Sequence, residues 1–232
     1  QQFAQVTNPP IDPLRESIVM SLETCLGREQ NVFEQGPEHA DRIIISSPVL
    51  SHSKMQQLRD VEKERAGYAV ADINLNYAET EGLQAAVARI CEEAAQAVRD
   101  GKTLIVLTDK NIREGFLPAN SVLVTGAVHH YLIQVGLRTD ANILVETGFA
   151  RDPHQFAVLL GFGATAIYPY LAYDVINDLV AKGELLGDPI YAQANFRKGI
   201  EKGLLKVLSK MAISTVASYR VVQLFEAVGL PS

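Results

Sequence analysis

GFGATA, residues Gly161-Phe162-Gly163-Ala164-Thr165-Ala166, lies inside DPHQFAVLLGFGATAIYPYLAYDVINDLVAKG (152–183). Its spacing fits G-x-G-x-x-G/A, the loop that cradles a dinucleotide's phosphates. Such a loop must follow a strand and open a helix, because the helix N-terminus supplies free N–H groups and the positive end of the dipole. FAVLL (156–160) would then be a strand. The preceding strand ends near Thr147, so 148–155 would have to carry a parallel crossover, for which it is too short. The following helix would also hold Pro169 in its interior, at a cost of about 3 kcal/mol. The reverse assignment has neither conflict. Asp152 becomes an N-cap with Pro153 at the first helical position. Gly161 and Gly163 end the helix, and ATAIYP (164–169) is the next strand. GFGATA is then a helix-to-strand turn, at the end of the sheet away from where such folds bind ligands.

The same alternation extends outward. Short β-branched runs at 42–46, 68–75, 103–109, 142–147 and 164–169 predict strands. Helical patterns lie between and after them. The clearest is 81–99, where Leu83, Val87, Ile90, Ala94, Ala97 and Val98 recur at i, i+3/i+4 spacing before a stop at Asp100-Gly101. Further helices are expected at 120–137, 153–160, 171–182, 191–209 and 219–228, with ISTV (213–216) short and extended. Strands alternating with crossover helices pair in parallel. The expected fold class is α/β: five or six β-α units on a mainly parallel sheet. A partial barrel and an open doubly wound sheet both accommodate it. Residues 27–41, GREQNVFEQGPEHAD, are polar and without apolar rhythm, and are expected to be flexible.

Of the 232 residues, 47% are hydrophobic, enough to bury one sizeable core, so 1–232 reads as a single domain. The net charge is -6 with no basic run, which argues against nucleic acid or an anionic membrane as partner. No run of about 18 apolar residues crosses the chain. Cys25 and Cys91 form no C-x-x-C pair, and Cys91 falls on an apolar helix face, as a buried free cysteine does. A cytoplasmic setting fits. The chain opens on Gln1 without an initiator Met and stops just after an expected helix, so both ends read as cut from something longer.

Candidate chemistry falls at the strand ends, where α/β folds place their sites. Asp109, Glu146 and Tyr168 each follow an apolar run there. Asp109 and Glu146 could form a carboxylate pair, or could cap helices and pair with Lys110, Arg113 or Arg151. His129 and His130 are neighbours in mid-helix and point about 100° apart, so they cannot share a metal. With His154 on the next helix a cluster is conceivable, but His39 and His52 stand alone without ligand spacing, and no metal site is expected. The Ser-rich SSPVLSHS (46–53) has no G-x-S-x-G elbow. Two other segments read as more than packing. TNPPIDP (7–13) holds three prolines and is a stiff loop of fixed path. SKMAISTVASYR (209–220) reads as a strand-to-helix turn capped by Ser218.

Four long strings, FAQVTNPPIDPLRES (3–17), GAVHHYLIQVGLRTDANILVETG (126–148), LLGFGATAIYPYLA (159–172) and KGLLKVLSKMAISTVASYR (202–220), resemble successive landmarks of the glutamate synthase central domain. The resemblance covers most of the chain, in order. It implies a degenerate barrel that joins a glutamine amidotransferase domain to a domain holding FMN and an iron–sulfur cluster. It further implies that the piece walls the ammonia passage between them, binds no cofactor itself and is not catalytic alone. The parent reaction makes two glutamates from glutamine, 2-oxoglutarate and a reductant, in the cytoplasm or, in a photosynthetic eukaryote, the plastid stroma. Carried over residue by residue, Thr7, Asn8, Pro9, Pro10, Ile11 and Asp12 are the channel-lining candidates. Lys210, Ser214, Ser218, Tyr219 and Arg220 are candidates for the junction with the flavin domain. The alternative is a free-standing α/β enzyme or phosphate-binding protein acting at Asp109, Glu146 and His129. The chain departs from the family at three places: Ala212 stands where Gly usually follows SKM, Val221-Val222 where Gly-Ala usually follows SYR, and DPH (152–154) differs from the more usual form while still suiting a helix start. The two glycine replacements matter if the backbone there needs positive φ.

Overall fold

A computed structural model describes residues 11, 15–222, 224 and 225. Its first half runs α1 (Glu16–Val19), β1 (Thr24–Leu26), β2 (Ile43–Ile45), α2 (His52–Asp60), β3 (Val70–Asn74), β4 (Asn76–Ala78), α3 (Leu83–Arg99) and β5 (Leu104–Thr108). Its second half runs β6 (Phe116–Pro118), α4 (Ser121–Gln134), β7 (Asn142–Glu146), α5 (Pro153–Gly161), β8 (Ala166–Tyr168), α6 (Tyr170–Ala181), α7 (Pro189–Lys210) and α8 (Val216–Tyr219).

Four strands form the central sheet in the order β3-β5-β7-β8, all parallel. The order follows the chain without reversal, and a doubly wound sheet must reverse at its switch point. The sheet is therefore laid out as an arc of a barrel. The strands β5, β7 and β8 are buried on both faces, which is why they read as apolar runs, whereas the edge strand β3 exposes Asp72 and Asn74. Ile105, Leu107, Ile143, Val145 and Ile167 point to one face, against residues of α3, α4, α5 and α7. Leu104, Val106, Leu144 and Ala166 point to the other, where Leu26, Ile45, Met55, Leu58 and Tyr173 cover them. Each Val, Leu, Ile or Met side chain among them taken from water contributes roughly 1.5–3 kcal/mol. The face that would line a closed barrel is thus filled by β1, β2, α2 and α6.

The turn read from GFGATA is present. Asp152 accepts the Gln155 N–H at 3.0 Å while Gln155 Oε1 accepts the Asp152 N–H at 3.3 Å, a capping box that starts α5. The Ala164 N–H returns to the Leu159 carbonyl at 3.0 Å, and β8 follows. The opening strand was read differently: β2 is antiparallel to β1 and stands outside the central sheet. Three residues of Ile are too few to distinguish the two pairings. The expected helix at 219–228 does not start there. Instead α8 ends at Tyr219, Arg220 is extended, and Val221 has φ 66, outside any right-handed helix. The helix cap is Thr215, whose Oγ1 accepts the Ser218 N–H at 3.3 Å, so Ser218 is inside α8 and does not cap it. Segment 27–41 is irregular except for one 3-10 turn, Pro37–Ala40, and is anchored at its start by the Gly27 N–H on Asn142 Oδ1 at 2.7 Å.

Candidate functional site

The strand register sets Asn74, Thr108, Glu146 and Tyr168 side by side as the last row of the parallel sheet. This is the C-terminal edge, the end at which the chain leaves each strand for a loop. A cleft of about 560 Å³ opens over it, lined by Arg59, Asp72, Asn76, Thr108, Lys110 and Glu146, among others. Arg59 comes from α2 and bridges two carboxylates. Its Nη1 donates to Asp72 Oδ1 at 2.6 Å and its Nη2 to Glu146 Oε2 at 3.1 Å. Thr108 Oγ1 donates to the same Glu146 oxygen at 2.7 Å. Asn76 donates from Nδ2 to the Lys110 carbonyl at 3.0 Å, and its buried Oδ1 has no partner among the described residues.

Asp109 is buried beside this row and faces the next loop. It accepts the Gly148 N–H at 3.0 Å and the Thr147 hydroxyl, so it staples the end of β5 to the turn after β7. Burial pushes its carboxyl up, against the opposing pull of the Thr147 and Gly148 bonds. Burial and the nearby Asp109 push the Tyr170 hydroxyl up as well. Glu146 in the row and Asp109 beside it both hold strand ends in place. Their partners are Arg59, Thr108, Thr147 and Gly148 rather than the Lys110, Arg113 or Arg151 suggested by the sequence.

His129 does not join them. Its ring lies at the opposite, N-terminal end of the strands, where Arg138 Nε donates to His129 Nδ1 at 2.8 Å and Arg138 Nη1 to the Ala141 carbonyl at 2.8 Å. Ala141 immediately precedes β7. The trio Asp109, Glu146 and His129 is thus divided between the two ends of the sheet, and no single site there contains it. His129 is 4% exposed and its imidazole is pulled down to about 4, by burial first and then by the charges of Arg138, His130 and Arg220. His154 stacks edge-on with Phe225 instead. Among the described residues no group of three or more His, Cys, Asp or Glu could hold a metal, and no helix is long and apolar enough to cross a membrane.

Of the channel-lining candidates, Thr7, Asn8, Pro9, Pro10 and Asp12 lie outside the described residues. Ile11 is described, and both of its backbone groups are held by Ser209: its N–H donates to the Ser209 carbonyl at 3.1 Å and its carbonyl accepts the Ser209 hydroxyl at 2.7 Å. Ser209 is fully buried at the end of α7, directly before Lys210. The two stretches singled out in the sequence are therefore joined by a residue that was not a candidate. Lys210, Ser214 and Ser218 are exposed. The Ser214 carbonyl accepts the Ser21 N–H at 2.8 Å in a short parallel bridge. Tyr219 is buried with its hydroxyl unpartnered among the described residues and pushed up to about 12 by burial. Arg220 reaches the N-terminal edge of the sheet, donating to Thr165 Oγ1 at 3.1 Å. Neither Arg59 nor Arg138 could be found from the sequence, since each meets its partners only through the fold.

The family model described as the glutamate synthase central domain matches residues 1–231. Glutamate synthase [NADH] of Schizosaccharomyces pombe is 41% identical over 235 residues, covering 99% of this chain and 11% of that protein. Ferredoxin-dependent glutamate synthase, chloroplastic, of Oryza sativa subsp. japonica is 42% identical over 242 residues, covering 99% of this chain and 15% of that protein. The glutamate synthase [NADPH] large chain of Bacillus subtilis is 40% identical over 232 residues, with 99% and 15% covered. The chain thus spans 11% to 15% of the length of these relatives. Among solved structures, a flavocytochrome b2 variant is matched with a TM-score of 0.45 and 14% identity, over 76% of this chain and 41% of that one. By the match that runs from residue 1 to 231, the chain belongs to the glutamate synthase central domain family.

Proposed function

We propose that this domain is a scaffold and ammonia-passage wall within a glutamate synthase. It joins a glutamine amidotransferase domain to an FMN-binding domain of the same polypeptide. The parent reaction converts glutamine, 2-oxoglutarate and a reductant into two glutamates. FMN and the iron–sulfur cluster belong to the neighbouring segment, and this one is not catalytic alone. The setting is the cytoplasm, or the plastid stroma in a photosynthetic eukaryote. Relatives named for NADH, ferredoxin and NADPH are 41%, 42% and 40% identical, so this segment carries no mark of the electron donor.

The observation that carries the reading is the family match over residues 1–231. Two features of the fold support it. The carboxylates at the strand ends are engaged in holding loops, as a scaffold requires. The backbone of Ile11 is held on both sides by the buried Ser209, as suits a channel wall that must keep its bore.

The test uses the whole glutamate synthase that carries this segment, with Pro9→Ala, Pro10→Ala and Ser209→Ala variants. Glutamine hydrolysis and glutamate formation are measured together, with free ammonia assayed in the medium. Both half-reactions are expected to persist while ammonia escapes and glutamate formed per glutamine hydrolysed falls. An unchanged ratio in all three folded variants overturns the channel role.

A further inference from the structure

Five charged side chains line the cleft of about 560 Å³ over the C-terminal edge of the sheet: Arg59, Asp72, Lys110, Arg113 and Glu146. Three of them answer one another. Arg59 Nη1 donates to both oxygens of Asp72, the nearer geometry to Oδ1 at 2.6 Å, and Nη2 donates to Glu146 Oε2 at 3.1 Å. Two carboxylates share one guanidinium, so this trio keeps a net negative charge. Lys110 and Arg113, on the loop after β5, form no ion pair with any of the described residues. The Lys110 ammonium lies instead 5.6 Å from the centre of the Tyr170 ring.

Glu146 is where the two sets meet. Its side chain is 6% exposed, and Oε2 takes both of its hydrogen bonds, from Arg59 and from Thr108 Oγ1 at 2.7 Å. Its Oε1 has no hydrogen bond among the described residues and, unlike the sealed Asn76 Oδ1, is open to the cleft that Glu146 lines. Thr108 Oγ1 also accepts the Lys110 N–H at 3.2 Å, so a single hydroxyl connects the open carboxylate to the backbone of the unpaired lysine. An ionised carboxylate accepts at both oxygens, and largely buried polar groups are nearly always satisfied. The charges then select the ligand. A simple anion suits Lys110 and Arg113 but is repelled by Glu146 and Asp72. A simple cation suits Oε1 but is repelled by the two bases. A molecule that carries both charges close together satisfies both sets at once.

We propose that this cleft binds a small zwitterion of the α-amino-acid class, its ammonium on Glu146 Oε1 and its carboxylate on Lys110 and Arg113. The volume is that of a small-molecule site, and the place is the end of the strands where β/α folds hold their ligands. The remaining wall is amide, hydroxyl and one phenyl group, which accepts a polar ligand. The site binds without making or breaking a bond, and it does not depend on the ammonia-passage reading.

The experiment titrates the chain with glycine, the smallest such zwitterion, and with its two halves, acetate and methylammonium, at neutral pH and constant ionic strength. Calorimetry gives the affinities, and backbone ¹H–¹⁵N spectra follow the Lys110 N–H that rests on Thr108. Glycine is expected to saturate the site below about 10 mM and to move the Lys110 resonance. Each half is expected to bind about tenfold more weakly or worse, because it loses one charge-assisted contact and keeps the repulsion. Lys110→Gln with Arg113→Gln is expected to weaken glycine about tenfold, as is Glu146→Gln. The lysine and arginine hold no ion pair, so their double variant tests the site even if Glu146→Gln folds poorly. Absence of saturable glycine binding overturns the proposal. So does either half binding as tightly as glycine, or an affinity unchanged in the double variant.

Discussion

Arg138 and Gly163 hold His129 from two sides: Arg138 Nε donates to His129 Nδ1 at 2.8 Å, and its Nη2 donates to the Gly163 carbonyl at 3.1 Å. Gly163 has φ +113, and a Cβ built on it would lie 2.7 Å from His129 Nδ1. The second glycine of GFGATA is therefore required by the backbone and by the imidazole packed against it, and not by a phosphate.

Gly163→Ala is expected to be among the costly single changes in this fold. It combines a conformation nearly restricted to glycine with a clash against a ring that Arg138 holds in place. A loss of roughly 2–4 kcal/mol follows, because the two penalties act together. Urea unfolding of the variant measures it. A loss below about 1 kcal/mol would mean that the ring moves aside freely.

His129 also gives the chain a pH-dependent stability. Its imidazole is pulled from 6.5 to about 4 in the fold, so the unfolded chain takes up the proton first as pH falls. Stability from this group is complete above about 6.5, declines between 6.5 and 4, and changes no further below that. The loss is at most roughly 3 kcal/mol, part of it removed by solvent screening. Asp109 works in the opposite sense in the carboxylate range, because its raised carboxyl favours the fold as pH falls. His129→Asn keeps an acceptor for Arg138 without titrating. Urea unfolding at pH 7 and pH 5 should show a smaller decline in this variant than in the parent. Equal declines would assign the effect to other groups.

The alternation of strands and helices was legible because β5 and β7 are buried on both faces and read as unbroken apolar runs. The Asp152-Pro153 start and the Gly163 stop were local signals, and the helix between them came out within a residue. What escaped was short or non-local. The strands β1, β4 and β6 each have three residues, too few for a period to appear. Arg59 meets Glu146 across 87 positions, and Ser209 meets Ile11 across 198. No spacing rule reaches that far. His129 was singled out only as a candidate of the alternative site, and the fold supplied its neighbours from 138, 163 and 220.

Two of the departures from the family pattern fall on strained backbone. Ala212 has φ 57 and Val221 has φ 66. Ala212 is the left-handed residue that ends α7: its N–H returns to the Ser209 carbonyl at 3.1 Å and the Ile213 N–H to the Leu208 carbonyl at 3.1 Å. Glycine takes this conformation freely, whereas a β-branched residue does so rarely. Ala212→Gly is expected to raise stability by about 0.5–1 kcal/mol and Val221→Gly by about 1–2 kcal/mol. Thermal unfolding of each variant checks this. A loss of stability in both would show that the side chains contribute packing that outweighs the strain.

The Arg59–Glu146 pair separates a structural role from a catalytic one. Glu146 is 5% exposed, and without Arg59 its Oε2 would keep only the Thr108 hydroxyl. Breaking a buried pair from one side leaves an uncompensated charge, at a cost of about 3 kcal/mol or more. Arg59→Ala should therefore destabilise strongly. Glu146→Gln should cost less, since Arg59 retains Asp72 at 2.6 Å and an amide can still accept from Thr108. The double variant should recover part of the Arg59→Ala loss, giving a coupling of roughly 1–3 kcal/mol in a double-mutant cycle of unfolding free energies. If the carboxylate instead took part in chemistry, Glu146→Gln in the whole enzyme would abolish turnover while the fold remained intact. A scaffold carboxylate predicts the opposite pattern, in which activity survives wherever the domain stays folded.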